Sequence, residues 1–468
     1  MDRVRTGIKG LDDLVLDGGI PLYSVNIIAG PPGSGKTIFV QNLVFNGVSQ
    51  GLRAVYLTTL SEPQFKMVRN LQEFAFFDGA LLGERLIYQD FGSVFRREGP
   101  AGGLRFIDEI LKKYSPDLLV IDSLKTVRDL FESEKDFRIF MFDLAALLSV
   151  WEVTSFLVGE YEEADLTRLS EFAVVDGIIY LYGQEEKRFQ KRFLRILKMR
   201  GTDFQRGEHL FRITTRGVEV YPRTKPEGKE LIYQLATGKK AFGIAGLDEM
   251  LRGGLPEGTI AIISGSTGTG KTLFALRFLL EGTFCGEKGM FVSFEEPEDQ
   301  IISSAHSVGW DLSGALEKDL VDIYFLSPIE LDVDYHGVEL LERIRNGGIK
   351  RLVIDSISSF ESSVSDFQKY HDYLWALAQT LKRHQVTAIF TVLNHELFSP
   401  LVVSQTYISS LADSIIFLRY AEHKNSLKKV LGVLKLRGGD HDKTLREYEI
   451  TSLGIEVLGR IEKEGVLG

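Results

Sequence analysis

The sequence predicts an α/β fold that is built twice, as two tandem domains, each with a mainly parallel sheet flanked by helices and an antiparallel C-terminal part. Three observations lead to this prediction. Apolar runs alternate with helical runs, as at 367–381 and then 387–392, which is typical of βαβ units. The same ordered set of segments occurs twice, as expected for a duplicated domain. Each copy ends in a strand-rich stretch, in the first copy at 177–182 and 193–198.

The repeat has the size of a domain. Gly-Ile-x-Gly-Leu-Asp opens both copies, at Gly7 and at Gly243. The copies stay in step as far as a last pair of matching segments at 211–220 and 448–457. Between them, a stretch around 221–230 is rich in proline and charge and lacks periodicity, which predicts a linker. We therefore place domain one at 1–225 and domain two at 235–468.

The composition excludes several classes of protein. The chain has 468 residues, 44% of them hydrophobic, so large cores can form. The net charge of −10 argues against a general nucleic-acid or membrane surface. The single cysteine, Cys285, cannot form an internal disulfide. No apolar run approaches the roughly 20 residues that span a bilayer, and the N-terminus lacks a signal core. We expect a cytoplasmic protein without membrane or nucleic-acid partners.

Two copies of the pattern G-x-x-x-x-G-K-[ST] each follow an apolar strand and open an amphipathic run. Glycines let backbone N–H groups curl around phosphate oxygens, and the helix N-terminus adds donors and partial positive charge. The lysine would reach the β- and γ-phosphates of ATP, and the Thr hydroxyl would bind Mg²⁺. The residues predicted to bind the nucleotide are Gly30, Gly33, Ser34, Gly35, Lys36 and Thr37 in domain one, and Gly265, Thr267, Gly268, Thr269, Gly270, Lys271 and Thr272 in domain two.

Carboxylates at strand ends could complete such a site. Asp122 and Asp355 each end an apolar strand and are predicted, with Thr37 and Thr272, to hold Mg²⁺. The alternative is that each aspartate caps the next helix. Glu295 and Glu296 also follow an apolar strand, and one of them could accept a proton from water or a hydroxyl, since adjacent carboxylates raise each other's pKa. The alternative is an acidic first helical turn with Pro297 at its first position.

The two copies differ at this position. Aligned on Pro63 and Pro297, domain one carries Ser61 where domain two has Glu295, and only Glu62 remains as a candidate base. We therefore expect domain one to bind ATP but to turn it over slowly, with domain two as the stronger enzyme.

Together these residues resemble the KaiC family, tandem RecA-like P-loop ATPases named for a circadian clock protein. The resemblance rests on the duplicated opening motif, the Phe-Glu-Glu-Pro segment of domain two, the two Asp-Ser strand ends and two Lys-x-Arg-Gly segments, and it covers essentially the whole chain. It implies a homo-oligomer, a hexamer of two stacked rings, with ATP at each subunit interface.

The resemblance also assigns roles to further residues. It implies that Lys435 and Arg437, and their counterparts Lys198 and Arg200, reach the nucleotide of the neighbouring subunit. It implies that domain two is a serine/threonine kinase that phosphorylates its own chain. Ser409 and Ser410 match the acceptor hydroxyls, and Glu295 matches the base, whereas domain one has no hydroxyl at either acceptor position.

The resemblance says less about partner proteins. A KaiB-like partner on domain one is possible, but no motif in the sequence indicates it. A KaiA-like partner binds a C-terminal extension in the family, and this chain stops at Gly468, soon after its last strand. We therefore do not expect a KaiA-like partner.

Three functions remain open from the sequence. The first is an oligomeric ATPase and autokinase that acts as a slow regulatory switch or timer. The second is a DNA-dependent ATPase of the RecA or helicase type, which would need basic or aromatic loops toward a channel. The third is a nucleotide-sensing scaffold with little turnover.

Overall fold

A computed structural model describes residues 2–13, 15, 18–59, 64–186, 189–223, 238–327, 332–363, 367–394, 408–423 and 426–460. Contacts between Cα atoms divide the chain into two compact units, Met1–Arg223 and Thr224–Gly468, which we call domain one and domain two. Residues 224–230 of the predicted linker lie outside the described residues. Among the described helices, none is long and apolar enough to cross a membrane.

Domain one contains eleven strands and six α-helices in its described part. They are β1 (Arg3–Val4), β2 (Ile20–Pro21), β3 (Val25–Gly30), α1 (Lys36–Ser49), β4 (Ala54–Thr58), α2 (Gln64–Leu71), β5 (Leu86–Asp90), α3 (Phe91–Tyr114), β6 (Leu118–Asp122), α4 (Leu124–Arg128), α5 (Glu134–Val150), β7 (Thr154–Glu160), α6 (Glu171–Val174), β8 (Gly177–Glu186), β9 (Phe189–Met199), β10 (His209–Thr214) and β11 (Gly217–Tyr221).

Nine of these strands form one sheet in the order β11-β10-β9-β8-β3-β7-β6-β4-β5. The strands from β8 to β5 are parallel, whereas β8, β9, β10 and β11 pair antiparallel in succession. β1 and β2 form a separate small sheet. The predicted antiparallel stretches at 177–182 and 193–198 are thus confirmed as parts of β8 and β9.

Domain two repeats the plan. Its described elements are β12 (Lys239–Lys240), α7 (Ala245–Met250), β13 (Leu255–Pro256), β14 (Ile260–Gly265), α8 (Lys271–Phe284), β15 (Gly289–Ser293), α9 (Glu298–Ser307), α10 (Leu312–Glu317), β16 (Val321–Phe325), α11 (Val333–Gly347), β17 (Arg351–Asp355), α12 (Ile357–Ser363), α13 (Phe367–Arg383), β18 (Thr387–Leu393), α14 (Ile408–Leu411), β19 (Ser414–His423), β20 (Ser426–Leu436), β21 (Arg446–Thr451) and β22 (Gly454–Arg460).

The sheet of domain two has the order β16-β15-β17-β18-β14-β19-β20-β21-β22. The strands from β16 to β19 are parallel, and β19 to β22 pair antiparallel. Two nine-stranded, mainly parallel sheets with flanking helices confirm the predicted fold class. In both sheets the strand that leads into the phosphate loop lies near the middle.

That central position explains the continuous apolar strands of the sequence. In domain one, Ile28 packs in the core on the α1 side of the sheet, and its neighbour Ile27 packs in the core on the α5 side. Ile263 and Ile262 divide in the same way between the two cores of domain two. A strand covered on both faces needs apolar residues at every position, so it reads as a run rather than an alternation.

The duplicated opening motif forms a turn that its aspartate closes. The Asp12 carboxylate accepts a hydrogen bond from the backbone N of Gly7 at 2.8 Å, and Asp248 accepts from the backbone N of Gly243 at 3.0 Å. Both glycines have positive φ, 66° and 76°, a conformation that favours glycine. The motif is therefore accounted for by backbone geometry in both domains.

Candidate active site

Each phosphate loop joins the end of a central strand to the start of a helix. The loop of domain one connects β3 to α1, and the loop of domain two connects β14 to α8. Gly35 and Gly270 stand immediately before the helices with φ of 97° and 91°. A Cβ at Gly270 would lie 2.5 Å from Cδ1 of Ile450, so both conformation and space require glycine there. The predicted loop residues Gly33, Ser34, Thr267, Gly268 and Thr269 all lie between strand and helix.

The loop lysines fold back over their own loops. Lys36 Nζ donates to the carbonyl of Pro31 at 2.8 Å, and Lys271 Nζ donates to the carbonyl of Ser266 at 3.0 Å. Burial lowers the pKa of both ammonium groups below its usual range. A bound phosphate would supply the negative charge that a desolvated ammonium group needs. Both loops therefore fit the phosphates of ATP.

A hydroxyl meets a carboxylate at the start of each helix. Thr37 Oγ1 donates to Asp122 Oδ2 at 3.1 Å, and Thr272 Oγ1 donates to Asp355 Oδ2 at 2.6 Å. Oxygen donors of this kind suit Mg²⁺, which is commonly held by one or two carboxylates plus phosphate oxygens and water. The described residues contain no group of three or more His, Cys, Asp or Glu side chains that could hold a metal. The Thr–Asp pairs fit a metal ion that nucleotide phosphates would also ligate.

The two aspartates differ in their remaining contacts. Asp122 also accepts a hydrogen bond from the Tyr56 hydroxyl at 2.6 Å, whereas Asp355 accepts one from the Thr391 hydroxyl. Burial raises the pKa of both carboxyl groups, and the hydrogen bonds oppose that rise. Ser123, and not Asp122, provides the side-chain cap at the start of α4. After Asp355 it is likewise the serine, Ser356, whose hydroxyl accepts a hydrogen bond from the backbone N of Ser359 in α12, at 3.4 Å.

Glu295 and Glu296 lie beside the loop of domain two. The Glu295 carboxylate is exposed, accepts a hydrogen bond from the Ser359 hydroxyl, and opposes the lowered pKa of Lys271 through its charge. Burial raises the pKa of Glu296, and the charges of Asp355 and Glu295 add to the rise. Helix α9 begins only at Glu298, after Pro297, so both carboxylates precede the helix rather than form its first turn.

The corresponding segment of domain one, residues 60–63 with Glu62 and Ser61, lies outside the described residues. The strands before it are described, and they set a register. The backbone N of Thr59 donates to the Asp122 carbonyl at 2.9 Å, as the N of Phe294 does to Asp355 at 3.0 Å. Counted from these strands instead of from the prolines, Leu60 corresponds to Glu295 and Ser61 to Glu296. Domain one has one additional residue before its proline.

Lysines and arginines that are expected to reach the neighbouring subunit's nucleotide lie at the end of each sheet away from the phosphate loop. They are Lys198, Arg200, Lys435 and Arg437. Lys198 pairs with Ile178 near the start of β8, and its Nζ donates to the carbonyl of Ala173 at 3.3 Å. Lys435 Nζ donates to the carbonyl of Ala412 at 2.7 Å. Burial lowers the pKa of both lysines, with the adjacent arginine as the second cause.

The arginines follow the lysines but leave the strands. Arg200 and Arg437 each stand one residue beyond the end of β9 or β20, so strand alternation does not set their direction. Each lies near an aspartate instead: Arg437 Nη1 is 3.5 Å from Asp413 Oδ1, and Arg200 Nη1 is 3.4 Å from Asp176 Oδ1.

The predicted acceptors share that opposite end. Ser409 and Ser410 lie in α14, which directly precedes β19. Ser410 is exposed, and the Ser409 side chain lies outside the described part. Since β19 runs parallel to β14 and begins opposite Ala261, α14 lies at the amino end of β14, away from the loop that follows Gly265.

Two hydrogen-bond donors to the aspartates, the hydroxyl groups of Tyr56 and Thr391, could not be found from the sequence, because no local pattern pairs them with Asp122 or Asp355. Sequence reasoning also missed Glu160. That residue ends β7, and a carboxylate at the end of an apolar strand is the same signal that identified Asp122.

Comparison with known proteins gives a consistent result. A family model described as "ATPase: KaiC" matches residues 4–225 and again 241–462. The circadian clock protein KaiC3 of Synechocystis is 29% identical over 98% of this chain and 92% of its own length. The circadian clock oscillator protein KaiC of Synechococcus elongatus is 27% identical over 97% of this chain and 89% of its own length.

Proposed function

The chain belongs to the KaiC family of ATPases, and on that basis we propose that it is an oligomeric ATPase and autokinase that acts as a slow regulatory switch. Its two phosphate loops bind Mg–ATP. Domain two transfers phosphate to Ser409 and Ser410 of a neighbouring subunit. The assembly we propose is a hexameric ring, with ATP between subunits and with a KaiB-like protein as a candidate partner.

The observation that carries this proposal is the separation of loop and acceptor within one chain. The phosphate loop follows the carboxyl end of β14, whereas α14 lies at its amino end. At roughly 3.3 Å per residue, the six residues of β14 span about 17 Å between first and last Cα. Transfer needs reacting atoms about 3–3.5 Å apart. A chain therefore cannot bring its own acceptors to its own loop in this fold, and a second copy must do so.

The same separation applies to the cations. Lys435 and Arg437 lie beside α14, at the amino end of the sheet. In the ring that we propose, the amino end of one sheet faces the carboxyl end of the next, so that both cations arrive with the acceptors at the neighbour's γ-phosphate. Cations there would stabilise the charge of the transferring phosphoryl group.

Each residue of the domain-two site has a part in the transfer. Lys271 binds the phosphates. Thr272 and Asp355 would hold Mg²⁺, which when bound would neutralise phosphate charge. Glu295 takes the proton of the incoming serine hydroxyl. The serine oxygen bonds to the γ-phosphorus as the bond from that phosphorus to the β–γ bridging oxygen breaks, and ADP leaves.

Phosphorylation at this place would alter the subunit contact. Each phosphate adds a charge of about −1.5 to −2 to α14, whose following residue Ala412 is held by Lys435. Because that lysine is also proposed to serve the neighbour's nucleotide, a phosphate beside it would compete for its charge. Phosphorylation of one subunit would in this way change the activity of the neighbouring site, which is how the enzyme would act as a switch.

Intact-mass measurement of the native oligomer after incubation with Mg–ATP tests the proposal. We expect a ring and added mass in steps of one phosphate, which Ser409→Ala with Ser410→Ala abolishes. Undiminished mass gain in that double variant would place the acceptors elsewhere. Tight ATP binding with neither mass gain nor hydrolysis would favour the scaffold, and binding of labelled single-stranded DNA at low salt would favour the RecA or helicase type.

A further inference from the structure

Glu160 ends the strand that lies between the two strands carrying the predicted phosphate loop and Mg²⁺ ligand of domain one. β7 lies between β3, which leads into the phosphate loop, and β6, which ends at Asp122. Glu160 is the last residue of β7 and stands opposite Gly30, the last residue of β3. The carboxyl ends of parallel strands meet at one edge of a sheet. The phosphate loop, Glu160 and the proposed Mg²⁺ ligand therefore converge at one edge.

The Glu160 side chain is free to act there. It is exposed, and none of the hydrogen bonds or ion pairs of the described residues involves its carboxylate. Its charge nevertheless acts on the site. Burial lowers the pKa of Lys36, and the negative charges of Glu160 and Asp122 raise it again, with Glu160 having the larger effect of the two. It also adds to the raised pKa of Asp122, where burial is the main cause.

Domain two has no carboxylate at this position. There Leu393 stands opposite Gly265, in the register that Glu160 has opposite Gly30. Domain two instead carries Glu295, two residues after the end of β15, and counting in the sequence from Phe294 and Thr59 gives Leu60 as the corresponding residue of domain one. In the sequence, the two domains thus carry a glutamate and a leucine at these two positions in opposite order.

The carboxylates act on the loop lysines in a matching way. Lys36 is influenced by Glu160 and Asp122, and Lys271 by Asp355 and Glu295. Each lysine therefore has two nearby carboxylates, one that pairs with the Thr hydroxyl and one that stands free of it.

We propose that Glu160 is the catalytic carboxylate of domain one, which orients the attacking water for ATP hydrolysis. The proposal deepens the proposed function and rests on ATP binding by domain one. In the step, the water oxygen bonds to the γ-phosphorus, and the bond from that phosphorus to the β–γ bridging oxygen breaks. The water proton passes to the Glu160 carboxylate and then to the released phosphate, so ADP and phosphate leave.

The test uses the full-length oligomer with Lys271→Ala, which leaves only domain one able to hydrolyse ATP. Added to that background, Glu160→Gln should lower phosphate release about 100-fold or more, since a positioned acid–base group contributes roughly 10²–10⁴. The matched control is Glu162→Gln, an exposed glutamate two residues later that removes the same charge. It should leave phosphate release unchanged.

Equilibrium binding provides a readout other than turnover. Affinity for Mg–ADP should stay within about threefold in Glu160→Gln, whereas affinity for Mg–ADP with aluminium fluoride, which mimics the transferring group and its in-line water, should fall at least tenfold. Loss of both affinities together would indicate a role in nucleotide binding and contradict the proposal. Glu160→Asp should retain part of the preference for aluminium fluoride.

The remaining outcomes separate this inference from the proposed function. Turnover by Lys271→Ala that survives Glu160→Gln, or that falls equally in Glu162→Gln, overturns the role of Glu160. No turnover by Lys271→Ala above a Lys36→Ala, Lys271→Ala double variant also overturns it, but leaves phosphorylation by domain two standing. A shared loss of thermal stability in Glu160→Gln and Glu160→Asp would assign a structural role to a side chain that has no partner among the described residues.

Discussion

Phosphoryl transfer between neighbouring subunits can be tested by mixing two chains, neither of which can become phosphorylated when it is incubated by itself. One carries Lys271→Ala and keeps both serines, and the other carries Ser409→Ala with Ser410→Ala and keeps the loop. The span of β14, about 17 Å, is several times the 3–3.5 Å that transfer tolerates. The fold thus predicts that an intact loop phosphorylates the serines of the next chain and not its own.

The expected yield follows from the ring. In a random one-to-one mixture, each Lys271→Ala chain has one chance in two that the neighbour presenting a loop is intact, so about half of these chains should become phosphorylated. A heavy-isotope label on the Lys271→Ala chain identifies it in the intact mass spectrum. Each variant incubated alone with Mg–ATP should gain no mass.

The control is the same mixture kept under conditions in which native mass spectrometry shows no subunit exchange, where the labelled chain should stay unmodified. The reasoning is refuted if mixed oligomers are present and the labelled Lys271→Ala chain still gains no phosphate. A gain of phosphate by the Lys271→Ala variant incubated without the other variant would also refute it, because another loop would then be the donor.

Two further predictions concern the balance of the domains and the stability of domain two. Lys271→Ala should lower total ATP turnover more than Lys36→Ala, as measured by phosphate release, and the opposite order would contradict domain two as the stronger enzyme. Glu287→Ala should destabilise domain two by about 3 kcal/mol, because it leaves the buried Arg351 guanidinium without its carboxylate partner; hydrogen exchange of domain-two amides in urea measures this, with the exposed Glu317→Ala as control. Burial raises the pKa of Glu287, but hydrogen bonds from Lys240 and Arg351 outweigh it and hold this pKa below its ordinary 4.5. The stabilisation from Glu287 should therefore be complete above pH 4.5 and be lost as the pH falls below that value. The stability of Glu287→Ala should not show this loss.

The loops and the Thr–Asp contacts beside them could be predicted from sequence because their signals are local. The pattern at 265–272 specifies strand, turn and helix within a few residues, and Asp355 is identified by the apolar strand it ends. In the structure Thr272 donates a hydrogen bond to Asp355 at 2.6 Å, since β14 and β17 are parallel strands of one sheet with β18 between them. Here a short motif and the rule that parallel strand ends share one edge are sufficient.

The contacts that sequence reasoning missed depend on pairing between distant segments. Tyr56 reaches Asp122 because β4 and β6 are neighbours in the sheet, and no short-range pattern specifies that order. The correspondence between Leu60 and Glu295 was hidden for the same reason. An alignment on the prolines pairs Ser61 with Glu295. Backbone hydrogen bonds from Thr59 and Phe294 give a different register, because the segment before the proline is one residue longer in domain one.

A duplicated chain also separates the residues that the framework needs from those that set the chemistry. Asp12 and Asp248 close equivalent turns, so the framework retains them in both domains. Glu160 and Leu393 occupy equivalent strand ends and differ. Since a strand end lies beyond the two-sided core, a carboxylate can replace a leucine there without burying an unpaired charge. Changes at the carboxyl edge of the sheet would therefore be enough to give the two domains different turnover.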